Sequence, residues 1–147
     1  MKPPCTFDER VTEFIHAHRV ARMATVDALG RPAVIPICYV FDGRSFYSAI
    51  DQKPKRVEPK QLQRIRNIRV NPNVALVIDD YSENWSELAY VLVQGTAKII
   101  EPGESSSEQA TAIAALRSKY EQYRSMAIDR NPLIKIVPSR VRLWSAV

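Results

Sequence analysis

Four of the 147 residues are glycine and two are cysteine, and no apolar run approaches the roughly 20 residues that a membrane-spanning helix needs. Each scarcity excludes something. None of the glycines is spaced as GxGxxG or as a P-loop, so the chain predicts no glycine-rich cradle for a nucleotide phosphate. Two thiols, Cys5 and Cys38, are too few for a disulfide scaffold. Cys38 also sits inside an apolar run, which predicts a reduced cysteine in a cytoplasmic protein. The start, MKPPCTFDER, lacks an apolar signal core, and no export is expected from it. Histidine is scarce too: His16 and His18 stand two apart in one predicted helix, face different ways and predict no metal site. No Ser/His/Asp arrangement is indicated, because the serines of YSENWS have no base beside them.

What the chain does have is ordinary in total and uneven in place. Apolar residues are 46 % and charged residues 25 %, the balance of a globular protein, and residues 1–147 are expected to form a single domain. The net charge is only +5, yet Lys53, Lys55, Arg56, Lys60, Arg64, Arg66 and Arg69 face a single acid, Glu58. Most such runs are solvated helix faces. Nucleic-acid binding would interleave the charges with stacking aromatics, and there is no aromatic between Gln52 and Val77, so a nucleic-acid partner is not expected. A single phosphate needs two or three converging cations, because charge-assisted hydrogen bonds are roughly twice as strong as neutral ones. DQKPKR, stiffened by Pro54, suits that task better than it suits a polymer.

The pattern of elements is mainly β. A helix is predicted over residues 7–18 with Thr6 as its cap. RVARMATV follows as a strand ending in the DALG turn, then RPAVIPICYVF as a strand interrupted by Pro36. The Asp42-Gly43 hairpin returns it into RSFYSAI. A second helix is predicted from Pro59 to before Pro72, with Leu62, Ile65 and Ile68 or Arg69 as its apolar stripe. NVALVIDDY and LAYVLVQGTAKII are strands, the second with a bulge or bend expected at Gly95. SSSEQATAIAALRSKYEQYRSMA reads as a helix, and LIKIVPSRVRLWSAV as a sixth strand broken at Pro138. The turns are too short for parallel crossovers, so an antiparallel sheet closing into a barrel with helices at its rim is expected.

HRVARMATVDALGRPAVIPICYVFDGRSFYSAIDQKPK, followed by NIRVNPNVALVIDDY, VQGTAKII and IKIVPSRVRLW, resembles the pyridoxamine 5'-phosphate oxidase-like flavin-binding split barrels over nearly the whole chain. Within them it is most similar to the small branch that uses the deazaflavin coenzyme F420. The resemblance implies a six-stranded antiparallel split β-barrel with flanking helices. It implies a homodimer with cofactor sites at the subunit interface, and an oxidoreductase passing a hydride between bound FMN or F420 and a small-molecule substrate. It also implies that Lys53 and Lys55, with Arg56, clamp the cofactor phosphate. The basic loop is longer than the family's, so Lys60 or Arg64 is a candidate to share or replace the role of Lys55. Pro36, Ile37, Ser48 and Ala49 are implied to line the ring and its ribityl chain, and Trp85, Gln94 and Trp144 to reach it from the second subunit. Trp144 reads equally as a core or dimer anchor, and Gln94-Gly95 as a plain bulge. RVRLWSAV lacks the Arg-Leu-His element of the oxidases proper, which argues against oxidation of the vitamin B6 phosphates. No side chain identifies itself as a general acid or base. A non-catalytic carrier or sensor on the same fold is therefore the alternative, with a basic nucleic-acid binder behind it.

Overall fold

The computed structural model describes residues 5–51, 62–104 and 106–146. Helix α1 (Glu9–Ala17) begins later than predicted, and its cap is Asp8 rather than Thr6: the Asp8 carboxylate accepts the Val11 N–H at 2.8 Å. Aspartate is a strong N-cap, and it frees Phe7 to pack its ring against Phe41, 4.7 Å between centroids. Val11 and Ile15 form the buried stripe of the helix.

Seven strands follow rather than six: β1 (Ala21–Val26), β2 (Pro32–Ile37), β3 (Val40–Phe41), β4 (Phe46–Ala49), β5 (Asn73–Asp80), β6 (Ala89–Ile100) and β7 (Leu133–Ser145). The predicted second strand divides into β2 and β3 at Cys38 and Tyr39, not at Pro36. Pro36 stays inside β2 because β2 is an edge strand, where a missing N–H is tolerated. The break is held by Tyr39, whose fully buried side chain donates its hydroxyl to the Ile15 carbonyl at 2.5 Å. Gly43 (φ +95°) closes the β3–β4 hairpin in the left-handed backbone region that glycine reaches without strain.

All pairings are antiparallel, in the order β2-β1-β5-β6-β7-β4-β3. The two edge strands, β2 and β3, are joined by two residues only. Three Cα steps span at most about 11 Å, so the edges must meet and the sheet must curl into a barrel split at that seam. Its interior is filled by Met23, Phe46, Leu76, Ile78, Val91, Val93, Ile134 and Ile136. Helix α1 adds Val11 and Ile15; helix α2 (Gln63–Val70) adds Ile65 and Ile68, with Leu62 packed beside them as its stripe predicts. Pro59, the predicted start of α2, lies outside the described residues.

Helix α3 (Ser106–Lys119) covers the outside of β3, β4 and the first half of β7, with Ala112, Ile113 and Leu116 on Val40, Tyr47, Ala49 and Leu133. It stops short of its predicted length because Tyr120 is extended (φ −119°, ψ 108°); the chain goes on as 3-10 turns at Glu121–Ser125 and Ile128–Arg130.

Candidate functional site

The outside of β2, β1, β5, β6 and the second half of β7 is built by one irregularity. Along β7, Ile134 and Ile136 face the barrel interior. The β6–β7 register then shifts between Gln94 and Gly95: Gln94 lies opposite Arg140, and Gly95 opposite Pro138. Ser139 is the extra residue of this bulge, and its hydroxyl donates to the Gln94 carbonyl at 3.1 Å. A bulge of one residue reverses the in/out alternation beyond it. After it Val141 and Leu143 pack on the core, while Arg140, Arg142 and Trp144 are exposed. Gly95 is required here: a Cβ on it would stand 2.3 Å from the Val137 carbonyl oxygen. β7 therefore runs through Pro138, where the sequence predicts a break.

The ladder puts Trp144 opposite Tyr90, their rings 5.6 Å apart, then Arg142 opposite Leu92 and Arg140 opposite Gln94. Toward β2 the same face carries Val77, Ala75 and Ala24, half-buried, and Val34, 63 % exposed. Arg22 on β1 is paired with Asp79 at 2.8 Å. Neither Arg140 nor Arg142 has a hydrogen-bond or ion-pair partner among the described residues. Sequence reasoning passed over both arginines. Simple alternation counted from Ile134 turns them inward, and only the bulge turns them out.

The predicted site residues are distributed as follows. Gln94 and Trp144 share this outer face, and Pro36 lies at its far edge, opposite Arg22. Pro36 on β2 is three strands from Gln94 on β6, roughly 14 Å at normal strand spacing. One chain does not bring them together. Ile37 turns into the barrel core. Ser48 is 2 % exposed opposite Ile134, and Ala49 is buried under α3, so both side chains are spent inside the protein. Trp85, in a 3-10 turn between β5 and β6 capped by Asn84, is 68 % exposed. Lys53, Lys55, Arg56 and Lys60 lie outside the described residues.

The flanks of that basic stretch are anchored. At its entry the Ile50 carbonyl accepts from the Asn131 amide at 2.9 Å. At its exit Arg64 is held below the usual arginine range by burial, opposed by the neighbouring Asp51 and Tyr123. In α2 the Asn67 amide donates to the Thr25 hydroxyl at 3.0 Å and its oxygen accepts from Gln63 at 2.6 Å, which ties the helix to β1.

The seam between β2 and β3 carries a second polar cluster. Tyr39 N–H donates to the Tyr120 hydroxyl at 3.0 Å, and that hydroxyl donates to the Arg19 carbonyl at 2.7 Å. Lys119 Nζ donates to the Tyr39 carbonyl at 3.1 Å and sits 3.9 Å from the centre of the Tyr39 ring. Burial, with Arg19 close by, pushes the Lys119 ammonium down to about 8, and burial pushes the Tyr120 phenol up to about 12. These groups are saturated by one another and clasp the seam.

Two hollows of about 430 and 510 Å³ flank α3. At the first, Glu108 is drawn below the usual carboxylate range by hydrogen bonds from Lys135 and then from Tyr47. Both hollows lie on the helix-covered side, away from Gln94 and Trp144.

A curled antiparallel sheet with a split seam and a bulge that turns an aromatic and two cations outward together define a split-barrel protein. The profile of the pyridoxamine 5'-phosphate oxidase family matches residues 7–145, and the chain belongs to that family. Among solved structures it is similar to a conserved hypothetical protein of Mycobacterium tuberculosis (TM-score 0.75, 19 % identity, covering 99 % of this chain and 89 % of that one). It is also similar to HutZ, the heme storage protein of Vibrio cholerae (TM-score 0.73, 19 % identity, 96 % and 95 % covered). An F420 reductase is a further match (TM-score 0.60, 20 % identity, 84 % and 89 % covered). At such identities these likenesses speak for the fold.

Proposed function

We propose that two copies of this chain hold a flavin-type cofactor, FMN or coenzyme F420, between them and pass a hydride between it and a small-molecule substrate. One observation carries this reading: Pro36 lies on the same sheet face as Gln94 and Trp144, a face that no described element covers, yet three strands from the first and four from the second. A second copy laid on that face supplies from the other side what one chain cannot. The residues fit such a group in kind. Trp144 offers a flat ring, Gln94 an amide donor and acceptor, and the sequence after β4 offers Lys53, Lys55, Arg56 and Lys60 as counter-charge for a phosphate. When bound, a flavin or deazaflavin supplies the redox chemistry; this chain supplies position and charge.

A carrier or sensor without turnover is the competing reading. It is favoured by the absence, among the described residues of the exposed face, of any free carboxylate or histidine to move a proton. The carboxylate there, Asp79, is held by Arg22. The heme-storage likeness lends little to a heme site, since both ring nitrogens of His18 are engaged, by Phe14 O at 2.7 Å and Asp80 at 2.6 Å, and His16 contacts the Phe41 carbonyl at 3.1 Å.

The test is titration with FMN, F420 and riboflavin, with mass spectrometry of what stays bound and assay of hydride transfer to added acceptors. Lys55→Ala should weaken FMN or F420 by about ten- to a hundred-fold, one lost charged hydrogen bond, and leave riboflavin unaffected. Arg69→Ala is the control, because Arg69 is already paired with Glu101 at 2.5 Å. Equal losses at every basic position would replace the phosphate clamp with a diffuse patch.

A further inference from the structure

We infer that the groove between the β3–β4 hairpin, the start of α3 and the first half of β7 binds an α-amino acid with an apolar side chain, as its zwitterion. Two hollows make this groove. The one of about 430 Å³ beside α3 has an apolar end formed by Val40, Phe41, Ala112 and Ala115. The other, of about 400 Å³, runs past Arg44 and Ser45 to Lys135 and Pro138. Asp42, Tyr47 and Glu108 line both, so the hollows meet at that row of polar side chains.

The polar groups at the junction are partly spent, and the remainder has a definite pattern. Asp42 holds the hairpin turn with one oxygen: Oδ1 accepts the Arg44 N–H at 2.8 Å and the Ser45 N–H at 2.7 Å. Its Oδ2 has no partner among the described residues. Glu108 uses Oε2 for both the Tyr47 hydroxyl and the Lys135 ammonium, which leaves Oε1 open. Those bonds draw the Glu108 carboxyl below the usual carboxylate range, so it stays charged and neutralises Lys135. The surplus negative charge is then Asp42. The surplus positive charge is Arg44, an exposed residue whose guanidinium has no partner among the described residues. Ser45 is an independent sign of a ligand. It is only 7 % exposed, it lines the second hollow, and its hydroxyl has no partner among the described residues, whereas buried hydroxyls are mostly paired. An amine alone would answer Asp42 and leave Arg44; an acid alone would do the reverse. A zwitterion answers both. Its ammonium donates to Asp42 Oδ2 and Glu108 Oε1, and its carboxylate accepts from the Ser45 hydroxyl and the Arg44 fork. Its side chain then enters the apolar end, where Ala112 and Ala115 leave room for a branched or aromatic group.

This groove lies on the helix-covered side, away from Gln94 and Trp144, and stands on one chain, independently of the cofactor reading. The test is calorimetric titration with L-phenylalanine, with phenethylamine, which lacks the carboxylate, and with 3-phenylpropanoate, which lacks the amine. Phenylalanine should bind one site per chain, and each analogue should bind about tenfold or more weakly, having lost a charged hydrogen bond. Arg44→Gln should weaken phenylalanine by about tenfold and leave phenethylamine unchanged. Asp42→Asn keeps an oxygen to hold the turn; it should weaken phenylalanine and phenethylamine and leave 3-phenylpropanoate unchanged. Ala115→Trp, at an exposed position of α3, should abolish binding of all three without lowering the melting temperature. In NMR spectra the amide signals of Ser45 and Thr111 should shift with phenylalanine and stay still in the Ala115→Trp variant. No binding at about 10 mM phenylalanine overturns the site. Equal affinity for the three compounds also overturns it, since the groove would then be an apolar hollow only. So does phenylalanine binding that ignores both Arg44→Gln and Asp42→Asn.

Discussion

The two outer surfaces of this one sheet are finished in opposite ways. Over β3, β4 and the first half of β7 lies α3, and beneath it Tyr47, Ala49, Leu133 and Leu116 form a closed second core. Over β2, β1, β5, β6 and the second half of β7 no described element lies, and Val34 and Trp144 remain 63 % and 44 % exposed. The strands on the two sides are similar in chemistry; what differs is whether the chain spends a helix on them. An apolar sheet face left open by the described elements, edged with arginines that have no partner among the described residues, belongs to something that arrives from outside. The covered side holds the fold together, and the open side is where cofactor binding is expected.

That contrast can be broken at three places. The largest effect should come from the bulge that separates the two halves of β7. Gly95→Val places side-chain atoms against the Val137 carbonyl, a backbone group that cannot swing away, and should cost more than about 3 kcal/mol in urea unfolding. A loss below about 1 kcal/mol would mean that β6 and β7 part freely, and the bulge would not then be what aims Arg140 and Trp144.

Next comes a matched pair, one residue from each side. Leu116→Ala, under α3 and fully buried, should lose about 2–5 kcal/mol. Val34→Asp, on the open face, should change monomer stability by no more than about 0.5 kcal/mol yet, on the proposed two-copy reading, shift light scattering to the monomer mass. Equal destabilisation by the two, with no change of assembly, would erase the distinction between the sides.

The smallest effect lies at the seam where the sides meet. The half-buried Lys119 has its ammonium pushed down to about 8 from an ordinary value of 10.5. Between those values the unfolded chain binds more protons than the folded one, so stability rises with pH across that window. After discounting for partial exposure, the protein should gain about 1 kcal/mol between pH 8 and 10 relative to Lys119→Met. The comparison with the variant removes the contribution of the buried tyrosines, which runs the other way above pH 10. A parallel pair of pH curves would show that the seam lysine is better solvated than its contacts imply.

Much of this molecule is legible along the chain because much of it is local. Asp42-Gly43 announces its hairpin, and Leu62, Ile65 and Ile68 announce the face that α2 buries. What escaped is local choice overruled by distant partners. The sequence reading takes Thr6 as the cap of the first helix; Asp8 caps it instead, and Phe7 packs on Phe41, more than thirty residues on. The tail of the third predicted helix is apolar and charged at helical spacing, but Tyr120 leaves the helix to bond Tyr39 and Arg19. Cys38 and Tyr39 look like the middle of a strand, and they become the seam because Tyr39 reaches Ile15.

The sequence by itself determined that six β segments, three helices and their turns would exist, since alternation, caps and turn residues act within a few positions; the seventh strand came only from the break at Cys38 and Tyr39. It also determined the family, whose motifs survive in order along the chain. Only the tertiary structure decided which way the end of β7 faces. The parity of a strand is set by its partner's register, and one extra residue at Ser139, admitted by a glycine 44 positions earlier, turned Arg140, Arg142 and Trp144 from the core to the open face.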